Sequence, residues 1–199
     1  MHHLRVFFAI LFPEKTQDQL SNWVATLKKT ALSEYIRWIP EEKMHITLQF
    51  IGALPEEQLL SVEAQTKIAI EKLPAFQLQF CHLEWFPNFR HPKILSCFVQ
   101  PQSELKNMSE LIGEALTTLN IPIEARPFRG HLTIGRLMRR GTPGIILDEI
   151  NLVAIPPITI SNIYLLQSKP EKGGQNYKPL AELTLAGTRL QMKGGKNSL

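Results

Sequence analysis

Met44-His45-Ile46-Thr47-Leu48 and Gly130-His131-Leu132-Thr133-Ile134 carry one pattern, histidine–aliphatic–threonine–aliphatic, and stand close to half a chain length apart. In an extended chain, residues i and i+2 share a face. His45 and Thr47 therefore project together, with Ile46 and Leu48 turned into an apolar layer behind them. His131 and Thr133 do the same. Each copy follows a loop that contains proline and precedes a glycine, Gly52 or Gly135. One His-x-Thr is a weak signal, since a strand histidine is commonly a surface or satisfied core residue. Two copies, each inside an aliphatic strand and near symmetric points of the chain, read as halves of a quasi-repeated fold with both pairs facing one cleft.

Outward from these strands, the apolar run 4–11 reads as a buried strand, and Pro13 opens a helix with Leu20, Trp23, Val24 and Leu27 on one side. A short extended piece is expected at 36–39, and the first motif strand at 44–51, closed by Gly52. Pro55-Glu56-Glu57 begins a second helix with an acidic first turn, running to about residue 72. Residues 76–85 and 93–99 form a hairpin around the turn 87–92, and 103–119 a third helix. The later strands are expected at 131–137, 158–166 and 180–185, with a loop at 141–144. Helices alternate with strands, yet the hairpin and the late strands argue for an α+β fold with mainly antiparallel sheet. No linker divides the chain, so 1–187 is expected as a single domain and 188–199 as a disordered basic tail.

Composition sets the outer bounds. A 199-residue chain with 44% hydrophobic and 20% charged residues is ordinary globular material. A net charge of +4 leans toward polyanionic ligands. Two cysteines cannot form a secreted disulfide framework. Cys81, His82, His91 and Cys97 match no familiar zinc spacing, and buried free thiols are expected. The apolar start is interrupted by Pro13-Glu14-Lys15 and reads as a core strand rather than a signal peptide. No apolar run approaches the roughly 20 residues of a membrane span, so a cytoplasmic location and no membrane partner are expected.

Two imidazoles and two hydroxyls converging on one point suit a phosphodiester. In-line hydrolysis needs a base for water and an acid for the departing oxygen on opposite sides of phosphorus. Histidine serves either role because its pKa lies near neutrality. Thr47 and Thr133 would hold the non-bridging oxygens. The motifs bring threonine rather than the carboxylates or thiolates of a metal shell, so no metal and no cofactor are expected.

With its two motif regions, this chain resembles the two-histidine (2H) phosphoesterases. More narrowly it is similar to the bacterial and archaeal RNA 2′,3′-cyclic phosphodiesterases, first described as 2′-5′ RNA ligases. The likeness runs from about Arg5 to Leu185. It rests on the opening strand Arg5-Val6-Phe7-Phe8-Ala9-Ile10, on Arg37-Trp38-Ile39-Pro40 with 44–52, and on Arg126-Pro127-Phe128-Arg129-Gly130 with 131–136. It continues in Leu166-Gln167-Ser168 and Tyr177-Lys178-Pro179-Leu180. The resemblance implies a two-lobed, pseudo-twofold fold with antiparallel sheets flanking a cleft and helices outside. It implies hydrolysis of a terminal cyclic phosphate to a 2′-phosphomonoester, and a weak, reversible 2′-5′ joining of RNA ends. His45 is then the proton donor to the leaving 3′ oxygen and His131 the proton acceptor for water. Where the family commonly has proline before the second histidine, this chain has Gly130.

Arg136 and Arg129 are candidate substrate contacts, Arg136 to phosphate or base and Arg129, with Arg126, on a positive rim, while Arg139-Arg140 beside Gly141 suits a basic loop near RNA. Phe8, Phe12 or Trp38 could stack on a base, although aromatics in strands are more often core. His82 and His91 are expected to be structural or exposed, and His2 and His3 to belong to a frayed terminus. The expected partner is RNA or a nucleotide with a 2′,3′-cyclic phosphate end, and the expected state a monomer without an obligate protein partner. The alternatives are a non-turning-over RNA-binding module, a zinc-dependent hydrolase, and a 2H enzyme for another cyclic or 2′-5′ phosphodiester.

Overall fold

The first apolar run forms strand β1 (His3–Leu11), and the period after Pro13 forms helix α1 (Glu14–Leu27), which buries Leu20, Trp23, Val24 and Leu27. The computed structural model describes residues 2–123, 126–138, 145–172 and 174–187. The expected loop at 141–144, Arg139-Arg140 and the expected tail at 188–199 lie outside the described residues. After α1 come β2 (Ile36–Trp38), β3 (His45–Pro55), α2 (Leu59–Ile70), β4 (Phe76–Phe86), β5 (Ile94–Gln100) and α3 (Gln102–Thr118). The remaining strands are β6 (His131–Leu137), β7 (Ile158–Ile160), β8 (Asn162–Glu171) and β9 (Gly174–Thr184).

Two sheets result, one in the order β3-β1-β8-β9 and the other β2-β6-β5-β4-β7. Every pairing within them is antiparallel. The expected α+β class with mainly antiparallel sheet is the class observed. The quasi-repeat is visible as two units, β1–α1–β3 and β5–α3–β6, in which the outer strands pair and the second carries a His-x-Thr. Each unit lends its helix to the other's sheet. Trp23 of α1 meets Phe80 of β4 edge-on at 6.3 Å, and Ser109 of α3 donates to the Leu48 carbonyl of β3 at 2.7 Å. One contiguous apolar cluster, including Phe8, Ile46, Leu48, Leu95, Leu132 and Ile134, runs behind both motif strands. The aliphatic residues alternating with each His and Thr thus anchor the strands from below.

Two expectations need correction. Residues 158–166 do not form one strand: β7 pairs with β4 in one sheet, and β8 pairs with β1 and β9 in the other. The apolar pattern continues across the crossing at Ser161 because both sheets feed one core. Gly52 does not close β3 either. It takes φ +81°, which glycine adopts without steric cost, opposite Val6, and the strand continues to Pro55.

Candidate active site

Both histidines are held in the same way. The Nδ1 of His45 lies 2.8 Å from the Lys43 carbonyl, and that of His131 lies 2.9 Å from the Arg129 carbonyl. A carbonyl only accepts, so each Nδ1 carries the hydrogen and donates. That fixes the tautomer and leaves each Nε2 as the atom available to a ligand. Thr47 and Thr133 share their histidine's face and, like it, are half-buried or partly exposed. Across from each threonine stands a small residue: Ala9 opposite Thr47 and Ser96 opposite Thr133, both fully buried. Small neighbours leave room above the sheet where the hydroxyls point.

A β-bulge follows each motif at the same offset. Leu48 has no partner between the pairs Thr47–Ala9 and Gln49–Phe8, and Ile134 has none between Thr133–Ser96 and Gly135–Leu95. The extra residue in each strand flips the parity beyond it. Phe50 therefore returns to the face of His45, opposite Phe7, and Arg136 returns to the face of His131, opposite Ile94 and Arg37. Both bulge carbonyls are satisfied, Leu48 by the Ser109 hydroxyl and Ile134 by the Ile39 N–H at 3.0 Å. The two halves match in backbone and differ in what they present, an exposed phenyl ring on one side and a guanidinium on the other.

The ring environments also differ. His45 packs against Phe7 at 5.1 Å and edge-on against Tyr177 at 4.9 Å. His131 lies flat on Phe86, with centroids 4.0 Å apart and planes 21° apart. Burial pushes the pKa of His45 below its ordinary value. The Lys43 carbonyl partly opposes this, and the charges of His131 and Arg136 push it further down. Burial likewise lowers His131; its bond to the Arg129 carbonyl opposes this, the Arg129 charge adds to the lowering, and Glu84 opposes it. Strands β3 and β6 lie in contact, and the charge of His131 reaches His45.

Arg136, which strand parity alone could not place, is on the cleft face. Phe8 is not: it is fully buried in the core beneath the site, as is Phe12, so neither can stack on a base. Its neighbour Phe7 occupies the cleft face instead. Trp38 packs against the core. Arg129 is engaged by the protein itself, through Glu84 at 2.7 Å and the Phe86 ring, rather than held out for a ligand. Arg126 is exposed. Gly130 is clamped by Gln102, which takes its N–H at 2.9 Å and donates to its carbonyl at 2.8 Å. A proline there would have no N–H to give. Cys81 is exposed, Cys97 is buried with its thiol pushed up to about 12, and His82 stacks on Phe98. Among the described residues no three His, Cys, Asp or Glu side chains form a metal-binding group. Phe7, Phe50, Phe86, Tyr177 and Arg37 join the site; all but Phe86 lie in stretches that carry the family likeness, yet no local pattern marks their side chains as facing the histidines.

Two histidines with companion threonines stand on equivalent strands of a pseudo-twofold fold, each with its Nδ1 bonded to a carbonyl, the arrangement expected from the likeness to the two-histidine phosphoesterases. Residues 10–95 match the family model described as LigT-like phosphoesterase. That match spans the first His-x-Thr strand and the helices and strands around it, and makes the chain similar to the LigT-like phosphoesterases over those residues. Similar proteins include the RNA 2′,3′-cyclic phosphodiesterase of Archaeoglobus fulgidus, 26% identical over 89% of this chain and 98% of that protein. That of Thermotoga maritima is 25% identical over 92% and 97%. The fold matches a Thermus thermophilus protein at a TM-score of 0.75, with 22% identity over 93% of this chain and 100% of that one. It matches E. coli LigT complexed with 3′-AMP at 0.72, with 23% identity over 93% and 99%. Among the described residues no helix is long and apolar enough to cross a membrane.

Proposed function

We propose that this enzyme hydrolyses the terminal 2′,3′-cyclic phosphate of RNA to a 2′-phosphomonoester, through acid–base catalysis between His45 and His131. The observation that carries this reading is the pair of Nδ1–carbonyl bonds, which leave two Nε2 atoms to work on one ligand. The names of the relatives support the substrate. In the reaction, His131 Nε2 takes a proton from water as its oxygen attacks phosphorus. The P–O3′ bond breaks, and His45 Nε2–H gives its proton to O3′. Thr47 and Thr133 donate to the non-bridging oxygens, and Arg136 balances the charge that grows there. With a 5′ hydroxyl in place of water, the same groups would join ends through a 2′-5′ linkage, the weak reversible side reaction.

Burial leaves both free histidines largely neutral near pH 7, which suits the base. The anionic phosphodiester then favours the protonated acid, so its arrival tips the His45 side of the cleft toward the charged form.

The test is turnover of an oligonucleotide ending in a 2′,3′-cyclic phosphate, with EDTA present, by wild type, His45→Ala and His131→Ala. A terminal 2′-phosphate from wild type and a loss of at least about 10²-fold in each variant are expected. Full activity in either variant defeats the acid–base pair, and binding without turnover makes the module a receptor instead. Activity abolished by EDTA and restored by zinc would favour a metallohydrolase.

A further inference from the structure

The two histidines are alike in their hydrogen bonds and unlike in what lies against their rings. Phe86 covers one face of His131. Arg129 Cζ sits 4.5 Å from the centroid of the same phenyl ring. Two groups cannot share one face at those distances, so the guanidinium caps the side of Phe86 away from the imidazole. Arg129 is itself fixed, with Nη2 on the Glu84 carboxylate at 2.7 Å and Nη1 toward the Pro87 carbonyl at 3.4 Å. Its own backbone carbonyl receives the His131 Nδ1–H. Glu84 is turned the same way as Ser96 and Thr133 across the sheet. Among the described residues the first half has no such stack, because Leu166 stands opposite Phe7 where Phe86 stands opposite Ile94.

We infer that Phe86, Arg129 and Glu84 form a positioning set that holds His131 flat and neutral, ready to act as the base, with the Glu84–Arg129 pair governing how readily it accepts a proton. An aromatic face stabilises a cation through its electron density. A ring already facing a guanidinium on one side has less to offer an imidazolium on the other, and the two like charges also repel through it. The flat stack resists rotation about the Cβ–ring bond, so Nε2 keeps its aim. The other groups facing His131 are His45 across the cleft, Thr133 and Arg136 on its own strand, and His82 on β4, which stacks on the Phe98 opposite His131. None of these touches the Phe86 ring in the way Arg129 does. This inference rests on the acid–base reading above for its consequence in turnover, but not for its effect on the imidazole.

The experiment is an NMR titration of the His131 ring in wild type, R129M and E84Q, beside the pH profile of kcat/KM for the cyclic-phosphate oligonucleotide. In R129M the titration midpoint and the acid limb of the profile should both move to higher pH, by about half a pH unit. In E84Q, a near-isosteric change that preserves packing, both should move to lower pH by a similar amount. Phe86→Leu should lower kcat about 10-fold with KM little altered, and Phe86→Tyr should restore most of it. A residue that merely supported the fold would not move the two midpoints in opposite directions. Midpoints that stay put, or move the same way in both variants, overturn the inference. If wild type does not hydrolyse the oligonucleotide, the acid–base reading falls, while the opposed NMR shifts still decide the positioning set.

Discussion

Phe7 and Phe8 are adjacent, nearly identical in burial, and differ in what they serve. Phe8 fills the core behind the site, whereas Phe7 touches His45, Phe50 and Tyr177. Phe8→Ala should cost about 3–5 kcal/mol of stability, read by chemical denaturation, and leave kcat per folded molecule near wild type. Phe7→Leu should cost less stability and lower kcat about 10-fold, because the ring that seats His45 is gone. Equal kcat losses in the two would show that the faces are not separated in this way. The run Val6 to Phe12 is apolar at every position, so it has no period from which the cleft face could be read, and a base-stacking role read from sequence falls on the wrong member of the pair. The motif strands are easier: polar residues alternate there with aliphatic ones, and the faces of His45, Thr47, His131 and Thr133 follow from two-residue periodicity alone.

At the scale of elements, the paired bulges explain both what can be anticipated and what cannot. The strands, the three helices and the β4–β5 hairpin declare themselves through apolar periods and prolines. A bulge does not: nothing in Thr133-Ile134-Gly135-Arg136 announces that Ile134 is unpaired, and without that fact Arg136 falls on the core side. Phe86 and Tyr177 reach the histidines only through strand register, which local sequence leaves unspecified. Gly135 gives a direct test. A Cβ there would stand 2.2 Å from Ile36 Cγ2 and 3.1 Å from the Arg37 carbonyl. Gly135→Ala should push β2 away, cost about 1–3 kcal/mol in urea unfolding, and raise KM by displacing Arg136 and Arg37. An unchanged KM in the folded variant would separate the bulge from ligand binding.

For the molecule as a whole, folding encloses two imidazoles between sheets of opposite halves and lowers both below their ordinary value of 6.5. Between the folded and unfolded values the unfolded chain binds more protons, so stability rises with pH across that window. This contribution is complete above about 6.5, declines as pH falls, and levels off once the folded histidines are themselves protonated. Melting temperature should therefore drop between pH 7.5 and 5.5, and less steeply in a His45→Gln/His131→Gln double variant. An equal drop in both would place the titrating groups elsewhere.

A twofold axis makes its two ends interchangeable, and a ribose is not interchangeable end for end: its 2′ and 3′ oxygens are different atoms on a chain with one direction. Backbone, histidines and threonines of the two halves are near copies, so by themselves they would open either P–O bond equally well. On the proposed reaction, the choice falls to the places where the copies disagree, Phe50 against Arg136 and Leu166 against Phe86. Regiochemistry in this molecule is then a property of broken symmetry, and exchanging those side chains between halves should invert which oxygen keeps the phosphate.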